Sequence, residues 1–338
     1  MRPVTTDVLI VGSGFGAAAP ALRLSRAGYG VTVVEKGPGL NPRSDFRQTQ
    51  DPKYVTRYLK SLSGDHLGAT FAEALGGGSG FYEMVSLRAP SQAFEQVDDG
   101  GRPLWPDGVD RAALDPFYDR AESMLRVEQI PVGQVPKTGL LFSLLMKNLG
   151  YSCDRAPYAV RGCLGSGFCV TGCIYGAKQS LLLNYLPRSQ EAGARLLTGL
   201  EAVSIRPLRP PGPDRRARPL TTVPPRYEVL CRSTAHPSRG CRIRARLVVL
   251  GGGTIGTARL LLASRRHLPG LSHHVGRNIC FNGSLKAAAL IPEDLPDGDM
   301  FTGRSHPGMI SYQFLESHGL TIAAAKPLPL QLVASARI

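Results

Sequence analysis

Apolar positions along this chain follow two spacings, and the switches between them mark out its elements. Val8 to Val11 is an unbroken apolar run, short enough for a buried parallel strand, and a second such run covers Val31 to Val34. Between them an Ala- and Leu-rich stretch is entered through Gly12, Ser13, Gly14, Phe15 and Gly16. Strand, glycine turn, helix and second strand in about thirty residues predict one parallel βαβ unit. Pro20, in the second turn of that helix, removes a hydrogen bond and predicts a kink. Gly37-Pro38-Gly39 predicts an abrupt loop, followed by a polar stretch of little periodicity to about residue 65.

Phe117, Ala121, Met124 and Leu125 recur at helical spacing and predict a core-facing helix, with Asp115 as its cap and Pro116 at its first position. Leu181 to Ala192 predicts a further apolar helix. Leu196 to Ile205, Tyr227 to Arg232 and Cys241 to Leu250 predict three strands of a meander. The last of them runs into Gly251-Gly252-Gly253-Thr254-Ile255-Gly256 and a helix over Thr257 to Ser264. Pro327-Leu328-Pro329 predicts an extended piece near the end.

Composition narrows the class. At 338 residues and 43% hydrophobic, the chain has the length for two domains with substantial cores. No apolar run approaches the ~18 residues of a membrane span, so no integral membrane segment is expected. With six residues ahead of the first strand, no signal peptide is expected either, and the cytoplasm is the expected location. Seven cysteines, an odd number, read as reduced thiols. The net charge of +14 is concentrated in residues 206 to 246, where eleven Arg face only Asp214 and Glu228 amid eight prolines. Such a segment is a candidate nucleic-acid or membrane-surface patch. Its only aromatic is Tyr227 and its prolines break any basic helix, so it reads as solvated hairpin loops and no nucleic-acid partner is expected.

The candidate chemistry sits in the glycines. Gly12 permits the tight turn out of the first strand, Gly14 lets the backbone approach a pyrophosphate, and Ala17 supplies the small third position where helix and strand pack closely. The helix N-terminus presents N–H groups and a partial positive charge to phosphates. Glu35, 21 residues after Gly14 at the tip of the second strand, is placed to accept both ribose hydroxyls, with Lys36 beside it in the same cofactor set. Leu75-Gly76-Gly77-Gly78-Ser79-Gly80 reads as a second loop against the cofactor, at Gly77, Gly78 and Ser79. Residues 251 to 256 are formally a second G-x-G-x-x-G. No acid occurs between Glu228 and Glu293, however, and no strand pattern follows. The strand before it is therefore expected to join the first sheet and bring Gly251 and Gly252 close to the first nucleotide; Arg265 and Arg266 lack the strand that would place them on a 2′-phosphate. Cys163, Cys169 and Cys173, spaced C-x5-C-x3-C, fit neither zinc nor iron–sulfur spacing and read as a local disulfide or structural thiols, with no metal expected.

Five stretches together resemble the glucose–methanol–choline (GMC) oxidoreductases, and among them the cholesterol-oxidase-like branch. They are GSGFGAAAPALRLSRAG at 12 to 28, GGGSG at 76 to 80, GAKQS at 176 to 180, LVVLGGGTIGTARLLLAS at 247 to 264, and LPGLSHHVGRN with Asn282-Gly283. The resemblance implies an α/β fold: a Rossmann-like FAD-binding domain from 1 to 90 and 190 to 283, and an α+β substrate-side domain from 91 to 189 and 284 to 338. It implies FAD, with the pyrophosphate over Gly12 to Gly16, the ribose on Glu35, the adenine edge near Val203 and the isoalloxazine near Gly77 to Ser79. The implied reaction is oxidation of the CH–OH group of a small-molecule alcohol, bulky and apolar, by hydride transfer to flavin and then to oxygen or another acceptor.

The sequence departs from that family in two places. Of seven histidines, His66, His236, His267, His273, His274, His306 and His318, none stands in the context of the family's catalytic histidine. His306, in Ser305-His306-Pro307-Gly308, comes too early in the order of motifs and reads as a surface-loop residue. The acid that cholesterol oxidases use in isomerisation would fall among Ala323, Ala324 and Ala325, whose methyl groups take no proton. The catalytic residues stay unassigned, and three rivals stay open. They are a truncated FAD-binding fragment that turns over nothing, a nicotinamide-dependent dehydrogenase, and a nucleic-acid binder acting through residues 206 to 246.

Overall fold

β1 (Val4–Val11), α1 (Phe15–Arg26) and β2 (Val31–Val34) form the expected βαβ unit, with β2 parallel to β1 and Val11 opposite Val34. The computed structural model describes residues 4–47, 51–64, 68–208, 221, 223–280, 284–285, 287, 293, 303–304, 306 and 308–325. Val8, Leu9 and Ile10 are fully buried because the strand is covered on both faces, and Ala17, Ala21 and Leu22 turn in from α1. Pro20 lies inside α1, yet the helix carries on unbroken to Arg26. Packing of its small apolar face on the sheet, rather than backbone propensity, holds it across the lost bond.

The chain divides into two units: Met1–Gly80 with Leu181–Lys286, and Phe81–Ser180 with Ala287–Ile338. In the first unit, α2 (Pro42–Asp45), α3 (Pro52–Tyr58) and a hairpin of β3 (Leu59–Ser63) and β4 (Gly68–Ala72) fill the stretch in which the sequence showed little periodicity. The hairpin is half-exposed and has too few apolar positions to show an alternation. In the second unit, α4 (Arg111–Leu125), β5 (Val127–Gln129), α5 (Lys137–Asn148), β6 (Asp154–Arg155) and β7 (Pro157–Ala159) come next.

The chain then re-enters the first unit through α6 (Tyr185–Glu191), β8 (Arg195–Leu197), β9 (Leu200–Pro207), β10 (Tyr227–Ser233), β11 (Gly240–Leu250) and α7 (Gly253–Ala263). It closes in the second with β12 (Met309–Ser311), α8 (Leu315–His318) and β13 (Ile322–Ala323). The main sheet of the first unit has the order β8-β2-β1-β11-β10-β9. Its first four strands are mutually parallel, and β10 and β9 are antiparallel additions. The core of the second unit gathers Met84, Ile130, Tyr158, Ala159, Met309 and Ile310.

Several boundaries differ from the sequence reading. The first meander strand is two strands: β8 pairs with β2 and β9 with β10, separated at Gly199, whose φ of +66° turns the chain. α4 starts a turn earlier than Asp115, because the Asp110 side chain accepts from Ala113 N at 2.7 Å and caps it; Pro116 is interior. No residue of α4 is fully buried and Phe117 is 56% exposed, so its apolar spacing marks a half-covered face, not a core one. Residues 181 to 184 form a turn, and α6 starts at Tyr185 on the Asn184 cap. α7 begins at Gly253 rather than Thr257.

Of the described arginines of the basic segment, Arg206, Arg232, Arg242, Arg244 and Arg246 sit on strands, while Arg226 and Arg239 lie outside them. Arg206 and Arg244 hold the buried Glu228 from either side at 2.6 and 3.0 Å, Arg232 holds Glu201, and Arg246 holds Asp7. All seven cysteines are free thiols, so the local disulfide is not made; Cys163, Cys169 and Cys173 pack against the second core. Among the described residues no cluster of His, Cys, Asp and Glu could hold a metal, and no helix is long and apolar enough to cross a membrane. Pro327-Leu328-Pro329 lies outside the described residues.

Leu9, 0% exposed at the centre of the sheet, makes the packing testable. Leu9→Ala should cost about 2–5 kcal/mol in a denaturant melt. Leu62→Ala, at a position 52% exposed on β3, should stay within about 0.5 kcal/mol.

Candidate functional site

The turn between β1 and α1 is shaped by contact with other glycines. Gly12 has a φ of +92°, and a side chain there would run into the Gly251 carbonyl. A Cβ on Gly251 would in turn come 2.6 Å from that of Ala17. β11 therefore lies close enough beside β1 that Gly251 N donates to Val11 O at 2.7 Å, which puts Gly251 and Gly252 beside the turn as expected. α1 starts at Gly14 with no side-chain cap and no acid in its first turn, so its positive end meets no built-in counter-charge. Gly14, Phe15, Gly16, Gly78 and Gly252 form a partly exposed rim, Phe15 being 51% exposed.

Glu35 sits at the end of β2 and is 8% exposed. Its Oε2 accepts from Ser13 N at 3.0 Å and from Ser13 Oγ at 2.7 Å, while its Oε1 accepts from Gly37 N at 2.8 Å. Burial pushes its pKa up, and the three donors pull it back only in part. A carboxylate offers about four acceptor positions, so one place at Oε1 is left for a further hydroxyl rather than two.

Ser13, expected from the sequence as part of the pyrophosphate turn, is also the hub of this network. Besides donating to Glu35, its hydroxyl accepts from Gly76 N at 2.9 Å. That bond draws the second glycine loop onto the first, and a Cβ on Gly77 would stand 3.0 Å from Gly14 Cα. Ser79 is fully buried and its hydroxyl is used internally, donating to Gly76 O at 2.7 Å and accepting from Leu181 N at 3.2 Å. What this loop offers a ligand is backbone.

The two remaining candidates are placed differently. Lys36 Nζ is engaged by Glu73 at 2.5 Å and Glu201 at 3.8 Å. Val203 lies where the pairing of β9 with β10 slips: Ser204 faces Leu230 and Ala202 faces Cys231, and Val203 is skipped. Such a bulge leaves the backbone of the extra residue outside the ladder.

In the second unit, His306, read from the sequence as a surface-loop residue, is half-buried and bonded. Tyr158 O–H meets its Nδ1 at 2.5 Å, and Gly308 N–H donates to the same nitrogen at 3.3 Å. An amide N–H only donates, so the Gly308 contact fits the tautomer with its proton on Nε2. The guanidinium of Arg304, 5% exposed, lies 5.0 Å over the Tyr158 ring and donates to Gln134 at 2.8 Å. Burial lowers the His306 pKa, with the Glu83 carboxylate acting against it, and raises that of Tyr158. In the GAKQS stretch, Lys178 is buried, donates to Cys169 O and lies 5.6 Å over the Tyr82 ring; burial brings its pKa to about 8. The long-range bonds had no signal in the sequence, because their partners lie up to 170 residues apart.

The family model described as GMC oxidoreductase matches residues 7–282. The chain belongs to the GMC oxidoreductase family. Among relatives of this GMC chain is a cholesterol oxidase of Mycobacterium tuberculosis (strain ATCC 25618 / H37Rv), 28% identical over 89% of the chain and 56% of the relative. Another is the long-chain-alcohol oxidase FAO3 of Arabidopsis thaliana, 25% identical over 91% of the chain and 40% of the relative. The crystal structure of pyridoxine 4-oxidase from Mesorbium loti superposes with a TM-score of 0.54 at 14% identity, over 77% of this chain and 52% of that one, a likeness of fold. The chain spans about half the length of the curated relatives it matches, 48% of one uncharacterised GMC-type oxidoreductase and 56% of the cholesterol oxidase.

Two variants of the GMC chain test these networks. Ser13→Ala strands Gly76 N–H and removes one of the three hydrogen bonds to Glu35, and should cost about 1–3 kcal/mol in a thermal or urea melt. His306 binds its proton less readily folded than unfolded, so the unfolded chain gains protons first as pH falls below about 6.5. Stability should therefore drop between pH 7.5 and 5.5, and the drop in Tm should be smaller in His306→Gln.

Proposed function

We propose that the first unit of this GMC chain binds FAD and that the protein is an oxidoreductase acting on the CH–OH group of a small-molecule alcohol. The observation that carries the reading is Glu35, a buried carboxylate aimed at the glycine turn, with an acceptor position left over. The residues fit the group: Gly12 to Gly16 and the uncapped start of α1 would hold the pyrophosphate, and Glu35 Oε1 a ribose hydroxyl. The skipped backbone at Val203 would meet the adenine edge, with Gly77, Gly78, Gly251 and Gly252 lining the approach. Ser79 and Lys36, already bonded within the protein, would support the cofactor loops rather than reach the cofactor by their side chains.

FAD, when bound, supplies the hydride acceptor. The chain's own residues supply the anion site and the ribose acceptor. A bulky, apolar alcohol is the substrate class favoured by the names of the relatives, a cholesterol oxidase and a long-chain-alcohol oxidase. Ala323, Ala324 and Ala325 give no carboxylate for isomerisation, so the proposal is alcohol oxidation alone. Oxygen or another acceptor would take the electrons from the flavin.

Titration of the purified protein with FAD, followed by quenching of flavin fluorescence, should show saturable binding. Glu35→Ala should bind about ten- to a hundredfold more weakly, the worth of a bond to a charged group, while keeping its circular dichroism. A folded protein that refuses flavin, or a Glu35→Ala variant that binds it equally well, sinks the proposal. Loss of the visible flavin band when alcohols are added without oxygen separates an enzyme from a non-catalytic binder.

A further inference from the structure

Cys231 and Cys241 face each other across β10 and β11. The antiparallel register pairs them directly, between Leu230 opposite Arg242 and Arg232 opposite Gly240. Among the described strands no other two cysteines stand in register. Directly opposed residues of an antiparallel pair have Cα atoms about 4.5–5.5 Å apart, inside the roughly 4.4–6.8 Å that a disulfide spans. Opposed residues also project from the same face of the sheet, and here the two thiols hydrogen-bond to each other. Cys231 is fully buried in the core with Val229 and Ile243, while Cys241 is half-buried, so oxidants meet Cys241 first.

We propose that Cys231 and Cys241 form a dithiol site that closes reversibly to a cross-strand disulfide when the protein meets hydrogen peroxide. The Cys241 thiolate attacks one peroxide oxygen, the O–O bond breaks, and Cys241 becomes a sulfenic acid as hydroxide leaves and takes up the proton that the thiol gave. The Cys231 sulfur then attacks the Cys241 sulfur; the S–O bond breaks, water leaves with the Cys231 proton, and the S–S bond forms. Two thiols are oxidised, one peroxide is reduced, and two waters are produced. A thiol reductant reverses the crosslink.

Burial holds both thiols above their ordinary range, Cys231 at about 12, so the site is slow at neutral pH and quickens as pH rises. The crosslink would staple the hairpin that leads through β11 to Gly251, and it would do so whether or not the glycine turn binds flavin.

Peroxide treatment of the whole chain should lower the titratable thiols from seven to five. Peptide mapping should then recover one crosslinked Cys231–Cys241 pair that dithiothreitol releases. Between pH 7 and 8 the rate should rise about tenfold, following the thiolate fraction. The oxidised form should melt a few degrees above the reduced form, and Cys241→Ser and Cys241→Ala should both lose the crosslink. Seven thiols persisting after treatment, a disulfide mapped to other cysteines, or identical melting of the two forms would overturn the proposal, and these readouts on the unmodified sequence need no variant to fold.

Discussion

A carboxylate withdrawn from water needs donors, and the first unit is arranged around supplying them to Glu35. Ser13 gives its amide and its hydroxyl, Gly37 its amide, and the same hydroxyl of Ser13 takes the amide of Gly76. Three segments apart in the chain, the turn after β1, the end of β2 with the bend after it, and the second glycine loop, are tied together through Glu35 and Ser13. The donors do not fully offset the burial, since the carboxyl remains easier to protonate than in water. A ligand hydroxyl at the remaining acceptor position would add what the protein leaves unmade.

The second constraint is the proximity of β11 to β1. Gly12, Gly251 and Ala17 are close enough that none tolerates a larger side chain without a shift, and this is why the second glycine pattern belongs to the first site. After α7 the described chain makes a 3-10 turn at Arg265–His267 and further turns, not a strand. No partner strand, and no acid at its tip, completes a second cradle. Gly251 serves instead as a neighbour that must stay thin, packed against Gly12 and Ala17.

The second unit keeps buried polar groups of another kind. Tyr158, His306 and Arg304 stack and bond around one ring; Gln134 takes one guanidinium N–H and Gly308 donates to His306, while Arg304 Nε is left without a partner. Most buried polar side chains are bonded, and a histidine in a Ser-His-Pro-Gly stretch, which looks like a loop, is half-buried and bonded to Tyr158. Lys178, buried over Tyr82 with its amine on a carbonyl, follows the same rule.

From sequence alone came the βαβ unit, the positions of the glycine turns, the acid at the tip of β2, the second loop at 76 to 80 and the return of a strand ending at Gly251. These are local patterns: two apolar runs, a helix between, and spacings that backbone geometry fixes within about thirty residues. The GMC resemblance adds order over the rest of the chain. Only the tertiary structure decided that Ser13 links the two glycine loops, that Lys36 and Ser79 are bonded within the protein, that Val203 is skipped in its ladder, and that His306 is bonded to Tyr158. It also decided that Phe117 is exposed and that α4 is capped by Asp110. Each depends on which distant segment lies alongside, and a hydroxyl, an amine or an imidazole has no periodicity that would announce its partner.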